Sequence, residues 1–310
     1  MMSPSDETDT GRRFFLKCMT WAGTATVWSI AGGVPRSRLI SSAEAATAEG
    51  FNFVQISDSH IGFDKPANPD PTATMQEGLK AVAALPGKPA FMIHTGDLTH
   101  LSKPAQFDTC RSLMQQTNLT TYTVPGEHDI LEEEGKSYLN RFGKGSKGDG
   151  WYSFDASGVH FIGLVNVVNL KGNGLGSLGH EQLEWLEDDV KGRSASTPIV
   201  VFAHVPLWIA YKDWGWGTSD GAQALSYLKK FGSVTVLNGH IHQILQKVEG
   251  HVAFHTARSL AFPQPAPGTA PGPGPMKVPA GELQHYLGIA RVSFVSSKQP
   301  LAIVDTPLQG

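Results

Sequence analysis

Five short clusters of aspartate, glutamate and histidine stand out in the sequence, because each directly follows a short apolar run. In chain order the clusters read Asp58-Ser59-His60, Gly96-Asp97, Gly126-Glu127-His128-Asp129, His204-Val205-Pro206 and Gly239-His240-Ile241-His242. Carboxylate and imidazole ligands without thiolates suit ions such as Mn, Fe or Zn. A single cluster of this kind could equally be a turn or a helix cap. Five of them in the same context predict a metal site.

The apolar runs before the clusters predict buried β-strands, because they are short and rich in β-branched and aromatic residues. They cover residues 51–56, 91–93, 121–124, 199–202 and 234–237. Helix-like stretches separate them, at about 72–85, 104–116, 133–142, 180–190 and 220–231. Alternating strands and helices predict an α/β fold with a substantially parallel sheet. All five clusters would then meet at the carboxyl edge of that sheet.

Other apolar runs predict hairpin strands, and these indicate a second, more antiparallel sheet stacked on the first. They lie near residues 151–154, 159–168, 251–256, 286–295 and 300–305. Residues 262–281 are rich in proline and glycine, so they predict an irregular loop inserted in the domain. Residues 49–310 are therefore expected to form one globular domain.

Composition excludes several classes of protein. The 310 residues carry a formal net charge of -3, so a strongly basic nucleic-acid binder is excluded and no nucleic-acid polymer is expected as a partner. The only cysteines are Cys18 and Cys110, which cannot build a disulfide framework or a thiolate zinc cluster.

Residues 1–48 have the features of an export signal. Arg12 and Arg13 precede a moderately apolar run, and Ala43-Glu44-Ala45 fits a small-residue cleavage site. The run R-R-F-F-L-K resembles the twin-arginine signal, which implies the twin-arginine translocation machinery as a partner and a periplasmic or secreted protein. The alternative is a membrane anchor, which a run with so many polar residues fits poorly. No stable membrane partner is therefore expected.

The order of the five clusters resembles that of the calcineurin-like metallophosphoesterases. The pattern of that family is Asp-x-His, Gly-Asp, Gly-Asn-His-Asp/Glu, a single His and Gly-His-x-His. The resemblance spans roughly residues 54 to 242, and the runs V-Q-I-S-D-S-H and Q-L-E-W-L-E are similar to the cyclic-nucleotide-phosphodiesterase-like branch. It implies a two-sheet β-sandwich flanked by helices, of the metallo-dependent phosphatase type, in a single catalytic domain.

The resemblance also implies two metal ions, divalent or trivalent, held by residues of the five clusters. One ion would be bound by Asp58, His60 and His242. The second would be bound by His204, His240 and the residue at 127, and Asp97 would bridge both ions. Two such ions activate a water molecule for attack on a phosphate ester.

Three residues of the third cluster carry the remaining expectations. His128 matches the family histidine that contacts the phosphoryl group and protonates the leaving oxygen, and Asp129 would orient its ring. The alternative for Asp129 is a turn or cap residue. The family asparagine is Glu127 here, and this anionic residue departs from the family's second metal site.

Three functions follow from these patterns. The first is an exported phosphoesterase with two metal ions that hydrolyses phosphomonoesters or phosphodiesters. The alternatives are a cyclic-nucleotide phosphodiesterase, and a non-catalytic metal- or phosphate-binding relative in which Glu127 prevents catalysis.

Further aromatic side chains near the predicted ligands have open interpretations. Trp208, Trp214 and Trp216 could form an aromatic wall of the substrate pocket, or could pack a long loop onto the domain. His94 lies within a predicted strand, which favours a packed core residue. His100 closely follows Gly96-Asp97, so it could support the metal ligands, although a loop residue is the favoured interpretation.

Overall fold

The computed structural model describes residues 24–31, 34–41, 51–170, 174–294 and 302–309. Its strands are β1 (Thr24–Ala31), β2 (Val34–Ser41), β3 (Asn52–Ile56), β4 (Met92–His94), β5 (Thr121–Thr123), β6 (Tyr152–Ala156), β7 (Val159–Gly163), β8 (Ile199–Phe202), β9 (Val234–Asn238), β10 (Gln246–Glu249), β11 (Val252–Thr256), β12 (Gly288–Ser293) and β13 (Ala302–Pro307). Its α-helices are α1 (Pro71–Ala83), α2 (Pro104–Gln115), α3 (Lys136–Phe142), α4 (His180–Lys191), α5 (Gly221–Tyr227) and α6 (Leu283–Tyr286).

The strands form two mixed sheets. In the first sheet the order is β2-β1-β13-β12-β3-β4-β5, and in the second it is β10-β11-β9-β8-β7-β6. Strands β3, β4 and β5 are parallel, and so are β7, β8, β9 and β11, whereas the outer strands pair antiparallel. The prediction of two sheets flanked by helices in a single domain is confirmed.

The assignment of strands to sheets was wrong. The five strands that precede the clusters were expected in one parallel sheet, but β3, β4 and β5 lie in the first sheet and β8 and β9 in the second. The predicted strands near 286–295 and 300–305 are β12 and β13, and β12 pairs with β3. Every central strand is buried on both faces, so its apolar run shows burial but does not show which sheet it joins.

Aromatic side chains fill the space between the two sheets. Phe53 of β3 faces Phe161 of β7 with ring centroids 5.3 Å apart, in an edge-to-face arrangement that aromatic rings favour. The alternate residue Val54 belongs to the core on the other side of the first sheet, which helices α1 and α2 cover. The central strands are therefore fixed on both faces, and their carboxyl ends are held in place.

The helices begin and end close to the predicted positions. Helix α1 begins where the Asp70 carboxylate accepts the N–H of Ala73, as an N-cap residue does. Helix α5 ends at Tyr227, earlier than the 220–231 stretch suggested. No helix or strand is assigned within residues 262–281, all of which are described.

The predicted signal peptide overlaps strands β1 and β2, which pair antiparallel beside β13. Arg12, Arg13 and the predicted cleavage sites lie outside the described residues. Among the residues that the structure describes, no helix combines the length and apolar character needed to span a bilayer. The export signal stays a prediction.

Candidate metal centre

The two sheets bring the ends of their central strands to one edge of the sandwich, where the predicted ligands lie in two groups. In each group the ligand atoms are within 4.8 Å of one another. The first group is Asp58, His60 and His242, and the second is Glu127, His204 and His240. Each group combines residues from both sheets, so neither could be recognised from one segment of sequence.

Asp97 lies between the two groups. Its Oδ2 atom is 3.4 Å from Nε2 of His60 in the first group and 3.5 Å from Nε2 of His204 in the second. Its Oδ1 atom accepts the backbone N–H of His128 at 2.9 Å, which fixes the carboxylate. One oxygen of Asp97 is therefore directed at both groups, which is the position a bridging carboxylate needs.

The backbone at these ligands is unusual. Five of the seven predicted ligands have left-handed φ angles: Asp58 at 54°, His60 at 40°, Asp97 at 54°, His240 at 70° and His242 at 53°. Each such residue costs on the order of 1–2 kcal/mol, because its Cβ crowds the backbone. Conformations of this kind persist where the surrounding structure enforces them, and they concentrate at functional sites.

Two glycines allow the loops to approach the ligands. An added Cβ at Gly96 would lie 2.4 Å from Nδ1 of His204, and one at Gly239 would lie 2.6 Å from Oδ2 of Asp58. Gly96 also has a φ of 99°, which favours glycine. At these two positions of the sequence clusters, a side chain larger than that of glycine would therefore clash with a ligand.

Backbone carbonyls fix the protonation of two ligand rings. Nδ1 of His204 lies 2.7 Å from the carbonyl oxygen of Thr95, and Nδ1 of His242 lies 2.6 Å from that of Phe262. A carbonyl can only accept, so each Nδ1 carries the proton and donates it. Nε2 of each ring then faces the centre, which is how metal-binding histidines are oriented.

The second group contains buried acceptors that face each other. Nε2 of His204 lies 2.8 Å from Oε2 of Glu127, and Nδ1 of His240 lies 3.0 Å from Oε1 of the same carboxylate. Oε2 of Glu127 and both ring nitrogens are buried without a hydrogen-bond partner among the described residues. These three atoms converge on one point, and a metal cation at that point would coordinate all of them. The residues therefore fit a metal ion.

The charges in the centre also favour a cation. Burial alone would raise the pKa of Asp58, but the neighbouring His242 ring lowers it to about 2. Burial alone would lower the pKa of His204, whereas the carboxylates of Asp97 and Glu127 raise it well above its usual value. The carboxylates of Asp58 and Glu127 therefore remain ionised in the protein interior, and they attract positive charge to the imidazoles.

His128 lies at the wall of a cavity beside the two groups. Its Nδ1–H donates to the carbonyl oxygen of His100 at 2.8 Å, so Nε2 is free to exchange a proton. Burial lowers the pKa of His128, but the nearby carboxylates of Asp97 and Glu127 raise it above its usual value. The ring is thus suited to hold a proton near neutral pH.

The expectation that Asp129 orients the His128 ring is wrong. Its carboxylate accepts the backbone N–H groups of Gly126, Leu98 and Thr99 at 3.0, 3.0 and 2.8 Å, and the Thr99 hydroxyl at 2.9 Å. The tight 3-10 turn over Glu127–Asp129 turns successive side chains in different directions. Asp129 is a buried cap that joins the loop after β4 to the loop after β5.

His100 lines the cavity, in agreement with the less favoured of its two interpretations from sequence. Its ring stacks on that of His128, with centroids 4.7 Å apart and planes 19° from parallel. Its Nδ1 lies 3.4 Å from Nδ1 of His60, so the three histidines form one continuous wall. The only signal in the sequence was its position three residues after Asp97. His94, by contrast, is a buried core residue whose Nε2 is 2.6 Å from the Ser59 hydroxyl.

Two of the three tryptophans form part of the cavity wall, and the third packs its loop onto the domain. Trp214 and Trp216 line the cavity together with Phe262, whereas Trp208 packs against Phe254 with ring centroids 5.0 Å apart. The cavity has a volume of about 330 Å³. It is large enough for a phosphate group and part of an attached alcohol.

A family model described as calcineurin-like phosphoesterase matches residues 51–244, which is more than half of the chain. The chain belongs to the calcineurin-like phosphoesterase family. This is a family of phosphoesterase hydrolases that depend on metal ions, and all the predicted ligands lie inside the matched region.

Known proteins similar to this calcineurin-like phosphoesterase include both phosphatases and phosphodiesterases. A probable cyclic nucleotide phosphodiesterase of Moraxella catarrhalis is 28% identical over 206 residues, covering 63% of this chain and 72% of that protein. Purple acid phosphatase 23 of Arabidopsis thaliana is 34% identical over 102 residues, which are 30% of this chain and 21% of that protein. The match thus spans about a fifth of the length of the plant relative.

Solved structures share the fold. A dimetal phosphatase from Danio rerio superposes with a TM-score of 0.57 at 15% sequence identity, covering 79% of this chain and 93% of that one. At this identity the likeness shows a common architecture, which is the two-sheet sandwich described above.

Proposed function

We propose that this family member is an exported phosphoesterase with two metal ions, which hydrolyses phosphomonoesters or phosphodiesters. The observation that carries the proposal is the position of Asp97, whose free oxygen is 3.4 and 3.5 Å from one histidine of each ligand group. Asp58, His60 and His242 would hold one ion, and Glu127, His204 and His240 the other. Mn, Fe and Zn all suit this donor set.

When bound, the ions would supply an activated water molecule and neutralise the charge of the phosphoryl oxygens. The chain's own residues would position the phosphate ester and protonate the leaving alcohol. In the overall reaction the water oxygen would bond to phosphorus as the P–O bond to the alcohol breaks. The alcohol oxygen would take the proton that His128 holds at Nε2, and the proton that the water gives up would pass to solvent, from which His128 is protonated again. His100 fixes the tautomer of His128 through its carbonyl oxygen.

The alternative of a cyclic-nucleotide phosphodiesterase is favoured by the similarity to the Moraxella catarrhalis protein. The predicted export signal points instead to phosphate esters outside the cytoplasm. Elemental analysis, combined with turnover of an aryl phosphomonoester, an aryl phosphodiester and a cyclic nucleotide, tests the proposal. Absence of metal, or no turnover of any of the three esters by the metal-loaded protein, would refute it and favour the non-catalytic alternative.

Replacing Glu127 with asparagine should weaken binding of the second ion but raise turnover of a phosphomonoester when metal is in excess. Two divalent ions with Asp58 and Asp97 leave a formal charge of +2, and adding Glu127 reduces the sum to +1. The less positive centre holds its second ion more tightly, but it attracts an anionic phosphate less and acidifies water less. Kinetics measured during titration with metal would show both effects.

The Glu127→Gln variant is the matched control, because it removes the charge but keeps the length of the side chain. Both variants should behave alike if charge is the cause. The competing view is that Glu127 accepts a proton or contacts the substrate directly. A large loss of turnover in the asparagine variant at saturating metal would support that view and contradict ours.

Export gives a prediction that does not depend on catalysis. Replacing Arg12 and Arg13 with lysines keeps the charge of the segment but should stop accumulation in the periplasm, because the twin-arginine route reads the arginine pair itself. Fractionation of bacterial cells that express the variant, beside the unaltered chain, measures this. Unchanged periplasmic accumulation would mean another export route or no signal.

A further inference from the structure

The cavity beside the ligand groups has a lining of two chemical kinds. The histidines and carboxylates described above form the polar part. Apart from Gln264 and two glycines, the rest of the lining is apolar and forms what is called here the apolar side: Leu170, Trp214, Trp216, Phe262, Pro273 and Pro275. A phosphate bound at the ligand groups would therefore have the rest of its ester directed toward hydrocarbon and aromatic surface.

The two indoles form a fixed part of this apolar side. Trp214 and Trp216 contact each other edge to face, with ring centroids 5.1 Å apart and planes 84° from parallel. Both pack with Ile241, the residue between the ligands His240 and His242. The two indoles thus pack on the segment that carries two predicted ligands. Their distance from a phosphate bound at those ligands would therefore be fixed.

The proline- and glycine-rich loop, residues 262–281, supplies Phe262, Pro273 and Pro275 to the apolar side. The start of this loop is bound to the segment that carries His240 and His242. The Gln264 side-chain amide donates to the carbonyl oxygen of His240 at 3.0 Å. The Gln243 amide donates to the carbonyl oxygen of Pro265 at 3.1 Å. Together with the bond from His242 to Phe262, these contacts hold the loop over the cavity.

From these observations we infer, on the basis of the proposed function, that the alcohol part of the substrate is apolar. The ligand groups would hold the phosphoryl group, and the hydrocarbon or aryl part of the ester would lie against Trp214, Trp216 and the loop. Burial of that part contributes affinity in proportion to its apolar area. Esters of small polar alcohols gain nothing from this surface.

Binding of phosphonates, which resemble phosphate esters but are not hydrolysed, tests the inference. The dissociation constants of methylphosphonate, hexylphosphonate and 5-carboxypentylphosphonate would be measured by calorimetry on the full chain loaded with Mn²⁺. Hexylphosphonate should bind at least about tenfold more tightly than methylphosphonate, since five additional methylene groups contact the apolar side. 5-Carboxypentylphosphonate should lose that advantage, because its terminal carboxylate would be desolvated there.

Two variants and one control locate the effect. Trp214→Ala should reduce the ratio of the dissociation constant of methylphosphonate to that of hexylphosphonate. Leu170→Arg should make 5-carboxypentylphosphonate bind about fivefold more tightly than hexylphosphonate, because the arginine attracts its carboxylate. Leu170 is partly exposed, so this variant keeps the test valid if the Trp214 variant does not fold. Trp208→Phe, which changes a tryptophan outside the cavity, should leave the ratio unchanged.

Two outcomes would overturn the inference: equal affinities for methyl- and hexylphosphonate, or a carboxypentyl ligand that binds as tightly as the hexyl ligand. The proposed function fails in a different way. A protein that prefers the hexyl ligand but hydrolyses no phosphate ester would support the apolar site and refute the phosphoesterase proposal, because binding is measured without turnover.

Discussion

Replacing Asp97 with alanine is expected to abolish hydrolysis and to remove both metal ions from the purified protein. The Asp97 carboxylate is directed at both ligand sets, and its loss also removes a negative charge from a buried centre. Loss of a residue that merely orients a ligand weakens metal affinity by about 10- to 100-fold, so loss of a shared ligand should exceed that range. Elemental analysis and turnover of an aryl phosphate measure the two effects.

Asp108→Ala is a suitable control for this variant, because Asp108 is an exposed aspartate on α2 that pairs with Arg141. It should retain metal and activity. Circular dichroism would verify that the Asp97 variant is folded. A folded Asp97 variant with a full complement of metal and normal turnover would show that the bridging role is wrong.

His128→Ala should retain both metal ions and slow turnover by about 10²- to 10⁴-fold, the range expected for loss of a general acid. His128 is not a member of either three-residue ligand group proposed above, and its Nδ1–H is committed to the His100 carbonyl. The loss should be larger for an alkyl ester than for a 4-nitrophenyl ester, because a good leaving group needs little protonation. Paired measurements on the two esters give the comparison.

The same pair of esters distinguishes two roles for this residue. An equal loss for both esters would mean that His128 only binds the phosphoryl group. Loss of metal in the variant would mean that it is a ligand. A surface histidine such as His251, whose ring bonds to the Lys229 carbonyl, gives the control substitution to alanine, which should change neither quantity.

Much of the metal centre could be predicted, because the residues that indicate it are neighbours in the sequence. Asp58, Asp97, His204 and His240 all follow directly where an apolar strand ends, so the sequence itself marks their place at the edge of a sheet. Two sheets with helices outside also followed from the number and type of the apolar runs. Both expectations depend on neighbouring residues only.

The features that could not be predicted depend on contacts between distant segments. Sheet membership of β8 and β9 depends on which strands pair, and equally buried runs do not encode this. The role of Asp129 depends on the direction of its side chain in a tight turn, where it meets the backbone of Leu98 and Thr99. The sequence showed that Glu127 departs from the family asparagine but not where its carboxylate lies, and the structure places it 2.8 Å from the His204 ring.

The left-handed backbone at five of the ligands sets a limit on how much change this protein can tolerate. At on the order of 1–2 kcal/mol each, their combined cost is comparable with the whole net stability of a typical domain, about 5–15 kcal/mol. A metal ion that binds the folded state but not the unfolded state would increase the net stability and so offset part of that cost. It follows that the same core substitution would be harmless in cells rich in the metal and damaging in starved ones, so metal supply would govern which variants of this chain survive selection.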